Sequence, residues 1–596
     1  MPRYLDNFTD SVTSLWSTIG YGLRARLKEG YSGGDLRADV MAGLVVGVVA
    51  LPLSMALAIA SGVAPQYGLY TAIVAGVTCS LLGGTRCQVT GPTAAFVVIL
   101  APIVGKFGLG GLLVAGMLAG LMLVGMAAAK LGRLITFIPH PVTTGFTAGI
   151  AVVIGTIQLK DFLGLSFDHA PEGYVDRWKA MWHARASASG WEIAVGALTL
   201  ALLVGLPRVI KKIPAPLLAL AIAGIAATLA TKFIPGFHVA TIGSRFHSTV
   251  NGHEVAGIPP LPPLPLLPWH MPGAGGGVMH LDWATIQALF PAAFAIAMLG
   301  AIESLLAAVV SDGMSGSKHE PNAELFALGI GNILCPFFGG IAATGALART
   351  ATNIRAGARS PLAACVHAVF VLACTVALAP LVAYLPMAAL AGLLLLVAKN
   401  MAEARHFVHI VKVAPRSDML VLLVCFGLTV VFDMVLAVSV GVVLAALLFM
   451  RRMSELAESK LDTGTMAKFD VPPGVRLYEI AGPLFFGAAQ KAMSVFDQIQ
   501  DRSLAVIVYM AQVPVMDATG LVALETVIDR LKRGGHKVIL AGLKPQPAEM
   551  LERAGIRREP GKLAIAPDLD TALSLAIVHR ARQPEPPAGP QATATA

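Results

Sequence analysis

Between residues 39 and 450 the chain alternates long apolar runs with short polar ones. Most of the runs approach the roughly 20 residues that a helix needs to cross a bilayer. Candidate spans cover 39–62, 66–84, 92–104, 108–129, 139–159, 191–207 and 215–235. After a long connection they resume at 284–311, 322–339, 346–356, 361–384, 386–399, 417–433 and 435–450. Fourteen crossings would return the chain to its starting side. Arg24, Arg26, Lys28 and Arg37 precede the first span, and Arg451 and Arg452 follow the last. The same parity puts Lys130/Arg133, Arg208/Lys211/Lys212, Arg355/Arg359 and Arg405/Lys412/Arg416 on that side, while the connection 236–283 has a single Lys or Arg, Arg245. Basic loops stay in the cytoplasm, so both termini are expected there, as in a multi-pass protein of the inner membrane. Beyond residue 475 the period changes. Strands are predicted at 475–480, 503–510 and 537–541 and helices at 519–533 and 547–554, a small α/β domain. The expected organisation is a cytoplasmic segment 1–38, an all-α membrane domain 39–450, a linker 451–467, a cytoplasmic α/β domain 468–580 and a disordered tail 581–596 rich in Pro, Ala and Thr.

Composition sharpens this division. The 596 residues are 56% hydrophobic and 13% charged. Of the 79 charges, 45 fall in residues 1–450 and 32 in residues 451–580, so only the second part has the roughly 25% of a soluble domain. The net charge of +9 is accounted for by loop topology, not by nucleic-acid binding. Six cysteines lie in or beside apolar runs without a CxxC pair or a His cluster, which implies neither metal nor disulfide. The polar N-terminus has no cleavable signal pattern. Gly273-Ala274-Gly275-Gly276-Gly277 lacks the Lys-Ser/Thr of a phosphate loop, and no nucleophile elbow or His-Glu-x-x-His occurs. No enzyme and no cofactor is expected, and transport would run on an existing gradient.

The two short spans carry the chemistry. The third follows Gly83-Gly84-Thr85-Arg86-Cys87-Gln88-Val89-Thr90-Gly91 and opens with Pro92-Thr93-Ala94-Ala95. The tenth follows Gly339-Gly340-Ile341-Ala342-Ala343-Thr344-Gly345 and opens with Ala346-Leu347-Ala348-Arg349. Each is third in its group of seven. Short, Gly- or Pro-interrupted segments at corresponding positions of two halves point to the binding site of a secondary transporter.

Gly62-Val63-Ala64-Pro65-Gln66-Tyr67-Gly68-Leu69-Tyr70 and Thr90-Gly91-Pro92-Thr93-Ala94-Ala95 resemble the signature region of SulP anion transporters, and the tail resembles their STAS domain. The segments 292–306 and 482–486 read most like DauA-type C4-dicarboxylate transporters. The resemblance implies a seven-plus-seven inverted repeat divided into core and gate domains, a homodimer, and substrate between the third and tenth helices. Many members of the family place Gln or Glu after the first-helix proline, whereas here Leu53 follows Pro52; any contact through that side chain is absent.

An anion needs positive potential at mid-membrane, and two facing half-helix N-termini each supply about half a charge and free N–H donors. Pro92 suits a first helical position. Thr90, Thr93 and Thr344 offer hydroxyls. The candidate binding set is Thr90, Gly91, Pro92, Thr93, Ala94, Thr344, Gly345, Ala346, Ala348 and Arg349. Arg349 matches the family's basic residue at the anion site and has a fork suited to carboxylate or sulfate; it is otherwise an inner-mouth topological charge like Arg355 and Arg359. Glu303, mid-span in the eighth segment, either carries a coupled proton or forms a fixed ion pair with Arg349. Asp312 and Asp433 read as solvated or capping groups, and His140 as interfacial. In the tail, 515–521 resembles the STAS loop in which a phosphorylatable residue opens a helix. Thr519 is therefore either a phosphorylation site, with a cytoplasmic protein partner to read it, or a plain N-cap. The function expected is proton-coupled uptake of C4-dicarboxylates such as succinate, fumarate or aspartate. Sulfate or bicarbonate transport and a non-transporting STAS scaffold are the alternatives.

Overall fold

The computed structural model describes residues 19–582 apart from 134–138, 167–172, 211–213, 251–252, 274–275, 280, 433, 457, 462–470 and parts of 486–502. Asp433, Lys211, Lys212 and the tail beyond 582 lie outside the described residues. The chain divides into two compact units, Met1–Val442 and Val443–Ala596.

The first unit is helical. It runs α1 (Tyr21–Lys28), α2 (Gly33–Ala60), α3 (Pro65–Leu82), β1 (Thr90–Gly91), α4 (Ala94–Ala128), α5 (His140–Leu163), α6 (Tyr174–His183), α7 (Gly190–Val209) and α8 (Ala215–Phe233). A hairpin of β2 (His247–Val250) and β3 (His253–Ala256) follows. Then come α9 (Trp283–Ser315), α10 (Pro321–Leu334), β4 (Thr344–Gly345), α11 (Leu347–Arg355), α12 (Leu362–Val382), α13 (Met387–Met401), α14 (Ala404–Val413), α15 (Arg416–Val431) and α16 (Met434–Leu456), which runs past the unit boundary. Each of the fourteen apolar runs contains helix. The third and fourth share α4, broken where Gly108 adopts φ 71. Eight helical stretches among the described residues are long and apolar enough to cross a membrane, α13 and α14 being counted together as Met387–Val413.

Two boundaries differ from expectation, for local reasons. α2 starts at Gly33, not near residue 39, because Ser32 and Asp35 form a capping box that nucleates the helix ahead of its apolar part. The stretch 451–467 read as a linker is, where described, the end of α16 and a strand, β5 (Glu458–Leu461). Close packing follows from small residues. A Cβ on Gly43 would lie 2.4 Å from the Ala363 carbonyl oxygen, so Gly43 lets α2 approach α12.

In the second unit β5 pairs antiparallel with β6 (Val475–Ala481), and β6, β7 (Ala505–Gln512), β8 (Lys537–Ala541) and β9 (Leu563–Ala566) pair in parallel. Alternate residues serve opposite faces. Val506 and Val508 pack with Leu524, Val527 and Leu531 of α17 (Ala518–Arg533). Ala505 and Ile507 pack with Leu569, Ala572 and Leu573 of α19 (Leu569–Ala581), with α18 (Pro545–Arg553) between β8 and β9 in sequence.

Candidate functional site

The two glycine-interrupted segments meet. β1 and β4 form a two-residue antiparallel ladder, with Thr90 opposite Gly345 and Gly91 opposite Thr344. The Ala346 N–H extends it to the Val89 carbonyl at 2.8 Å. Antiparallel contact between equivalent residues is what an inverted repeat produces. The short α11 and the first segment of α4, ahead of the Gly108 break, leave this ladder directly. Neither has a side-chain cap, so first-turn N–H groups remain for a ligand.

Pro92 is not the first helical residue. α4 begins at Ala94 behind Thr93, and the Thr93 hydroxyl is drawn off to Glu303 Oε2 at 2.8 Å instead of capping the helix. The freed Pro92 carbonyl accepts a hydrogen bond from Arg349 Nη2. Arg349 is 2% exposed. Its Nε and Nη1 have no hydrogen-bond partner among the described residues, and unpaired charged donors are costly when buried. Gly91 allows this approach, because a Cβ there would sit 2.5 Å from Arg349 Nη1. Thr344 is fully buried and donates to the Gly300 carbonyl at 2.9 Å, so its hydroxyl is already used in fixing β4 to α9. Ala94, Ala346 and Ala348 supply small backbone positions at the two helix starts.

Arg349 and Glu303 feel each other's charge, yet no ion pair joins them among the described residues. The fixed-pair reading of Glu303 is thus not the arrangement seen. Asp312 lies in the last turn of α9 and pairs with His319 Nδ1 at 2.7 Å. His140 opens α5 at an exposed position.

Sequence reasoning missed the scaffold behind the ladder. Glu324 of α10, 2% exposed, accepts from Gly84 N (3.1 Å), Thr85 N (3.1 Å) and Thr85 Oγ1 (2.8 Å) through Oε2. Its Oε1 accepts from Gln88 Nε2 (2.8 Å) and Ser304 Oγ (3.3 Å). Asn353 Nδ2 donates to the Cys87 carbonyl at 2.9 Å and Val89 N to Thr350 Oγ1 at 3.1 Å, which binds α11 to the same loop. Asp39 ties α2 to the loop after α11 by accepting from Arg359 N (2.6 Å) and Ser360 N (3.1 Å). His367 of α12 was also missed. It is fully buried, and neither ring nitrogen has a hydrogen-bond partner among the described residues. Its Nδ1 faces Gly76 of α3, whose added Cβ would be 3.7 Å from the Thr90 carbonyl. The available signal was a lone His in an apolar span; for Glu324 it was an acid in one.

In the second unit Thr519 is not the N-cap. Asp517 holds that place by accepting from Gly520 N at 2.8 Å, its carboxylate being a stronger acceptor than a hydroxyl. Thr519 is exposed in the first turn of α17.

Residues 36–425 match the model of the Sulfate permease family, and residues 467–572 match the STAS domain. The chain belongs to the sulfate permease family. It is 40% identical over 536 residues to YvdB of Bacillus subtilis, covering 90% of this chain and 96% of that one. It is 28% identical over 541 residues to the bicarbonate transporter BicA of Picosynechococcus, covering 87% and 91%. Among solved structures it resembles murine Slc26a9 in the inward-facing state with TM-score 0.80 at 16% identity, over 95% of each chain, a likeness of fold. As a sulfate permease it is a polytopic membrane transporter of anions and not an enzyme.

Proposed function

We propose that this sulfate permease takes up C4-dicarboxylates such as succinate, fumarate or aspartate, coupled to protons through Glu303. The observation that carries the reading is Arg349: a buried guanidinium with two unpartnered nitrogens beside two uncapped helix starts. One carboxylate fits the Arg349 fork and the α11 N–H groups, and the second fits the α4 N-terminus, so a diacid meets both poles. Thr90, Gly91, Pro92, Thr93, Ala94, Thr344, Gly345, Ala346, Ala348 and Arg349 form the site. Both termini are cytoplasmic, the membrane is the inner membrane, and the working unit is a homodimer. Thr519, exposed where a helix dipole favours phosphate, is the modification site of the STAS domain.

Uptake of a radiolabelled anion panel into proteoliposomes under imposed pH or sodium gradients tests this. Succinate should compete and an inward proton gradient should concentrate it, about tenfold per proton per pH unit. Glu303→Gln should keep substrate exchange and lose pH-driven accumulation. If both fall together, or both survive, Glu303 is not the proton carrier. A second reading is sulfate or bicarbonate transport, favoured by relatives named for those ions: BicA, and the bovine sodium-independent sulfate anion transporter, 28% identical over 404 residues. Competition by those ions without competition by succinate would select it.

A further inference from the structure

α14 (Ala404–Val413), like α6 (Tyr174–His183), is a ten-residue helix set between membrane helices. Its ten residues span about 15 Å, half the hydrocarbon thickness. It joins α13, which ends at Met401, to α15, which begins at Arg416. Glu403, at φ 40, turns the chain into it and Pro415 separates it from α15. The nine-residue α11 is also too short to cross, but it buries Arg349, Thr350 and Asn353, whereas α14 buries none of its residues and so lies along the surface.

None of its residues is buried. Phe407, Ile410 and Val411 form the half-buried, protein-facing side, and the Phe407 ring packs on Phe426 with centroids 5.3 Å apart. Arg405, His409 and Lys412 recur at i, i+4 and i+7 and so share one exposed stripe. Val408 and Val413 flank that stripe, 48% and 69% exposed. Arg405 and Lys412 form no ion pair among the described residues. A cationic stripe bordered by bare valines suits a boundary where anionic groups sit above acyl chains. An acidic peptide would match the charge but leave the valines in water.

We infer that the Arg405/His409/Lys412 face of α14 binds the headgroups of anionic phospholipids, with Val408 and Val413 seated among the upper acyl carbons. With the cytoplasmic termini proposed above, the leaflet is the cytoplasmic one.

The test uses full-length protein in detergent, titrated with phosphatidylglycerol or phosphatidylcholine, with bound lipid counted by native mass spectrometry. Wild type should bind phosphatidylglycerol in preference. R405A/K412A should weaken the tightest phosphatidylglycerol occupancy about thirtyfold, roughly fivefold for each charge, and leave phosphatidylcholine unchanged. R405K/K412R, which keeps the charges, should stay within a few-fold of wild type. Equal binding of both lipids by wild type, or an unshifted phosphatidylglycerol titration in R405A/K412A, overturns the proposal. So does a dimer that falls apart in R405A/K412A with its lipid titration unchanged, which would give the stripe to a second copy. Anion exchange in phosphatidylcholine vesicles should survive the double substitution, so failure here is distinguishable from failure of the transport reading.

Discussion

Arg349→Ala separates an anion-binding guanidinium from a structural one. The open Nε and Nη1 can give two charge-assisted hydrogen bonds to an anion, each worth about 1.5–3 kcal/mol. Their loss amounts to about 3–6 kcal/mol, or a fall in affinity of about a hundredfold to ten-thousandfold. The empty protein should respond in the opposite direction. It loses one bond to the Pro92 carbonyl but is relieved of a buried cation with two unpaired donors, so its melting temperature should hold or rise. Arg349→Lys keeps the charge and forfeits the fork, and should bind at an intermediate level. The assay is anion binding and exchange in proteoliposomes, with thermal unfolding followed in detergent on the same preparations. Unchanged affinity in Arg349→Ala refutes the assignment. Collapse of stability together with binding also refutes it, because the arginine would then be holding the fold.

Gly91→Ala forces Arg349 Nη1 away from a Cβ that would sit 2.5 Å from it, so anion affinity should drop by roughly tenfold or more with the protein still folded; unchanged binding would show that the guanidinium is free to move. Glu324→Gln puts an amide NH2 where a carboxylate oxygen accepts two or three donors, and should destabilise by about 1–3 kcal/mol for each donor left unpaired, read as a lower melting temperature in detergent; an unmoved transition would remove Glu324 from the scaffold. His367→Leu replaces unbonded buried polar atoms with an apolar group, which should stabilise the empty protein while weakening anion binding through the wall beside Thr90; unaltered binding would make the imidazole plain packing.

The fold was readable because its signals are long and repeated. Fourteen apolar runs and the change of period near residue 475 need no knowledge of contacts, and β8 falls on the predicted residues 537–541. The meeting of the two interrupted segments was readable for a similar reason: Thr90-Gly91 and Thr344-Gly345 repeat one interruption, and the structure pairs them. Partners across the fold were not readable. Nothing near Glu324 in sequence says that its five donors lie on residues 84, 85, 88 and 304. Thr93 has the sequence of a helix cap, but a carboxylate 210 residues away competes for its hydroxyl and wins. Asp517 and Thr519 both suit a helix start, and only backbone geometry decides which faces the Gly520 N–H. The strands β5 and β9 are four residues each, too short for periodicity to reveal.

These details explain why the site proposed at Arg349 would select for charge before shape. Among the described residues Arg349 has one hydrogen-bond partner, the Pro92 carbonyl, and the two helix starts beside it lack side-chain caps. Glu303 accepts from the Thr93 hydroxyl and forms no ion pair with Arg349 among the described residues. A neutral solute would leave those donors unpaired and add its own desolvation cost. An anion satisfies them together, and the rigid ladder of β1 and β4, held from behind by Glu324, keeps both helix ends aimed before it arrives. Preorganisation of this kind requires the supporting hydrogen bonds to be complete where the binding donors are not. The Glu324 carboxylate, accepting on both oxygens, and the Arg349 guanidinium, open at two nitrogens, are the two sides of that division.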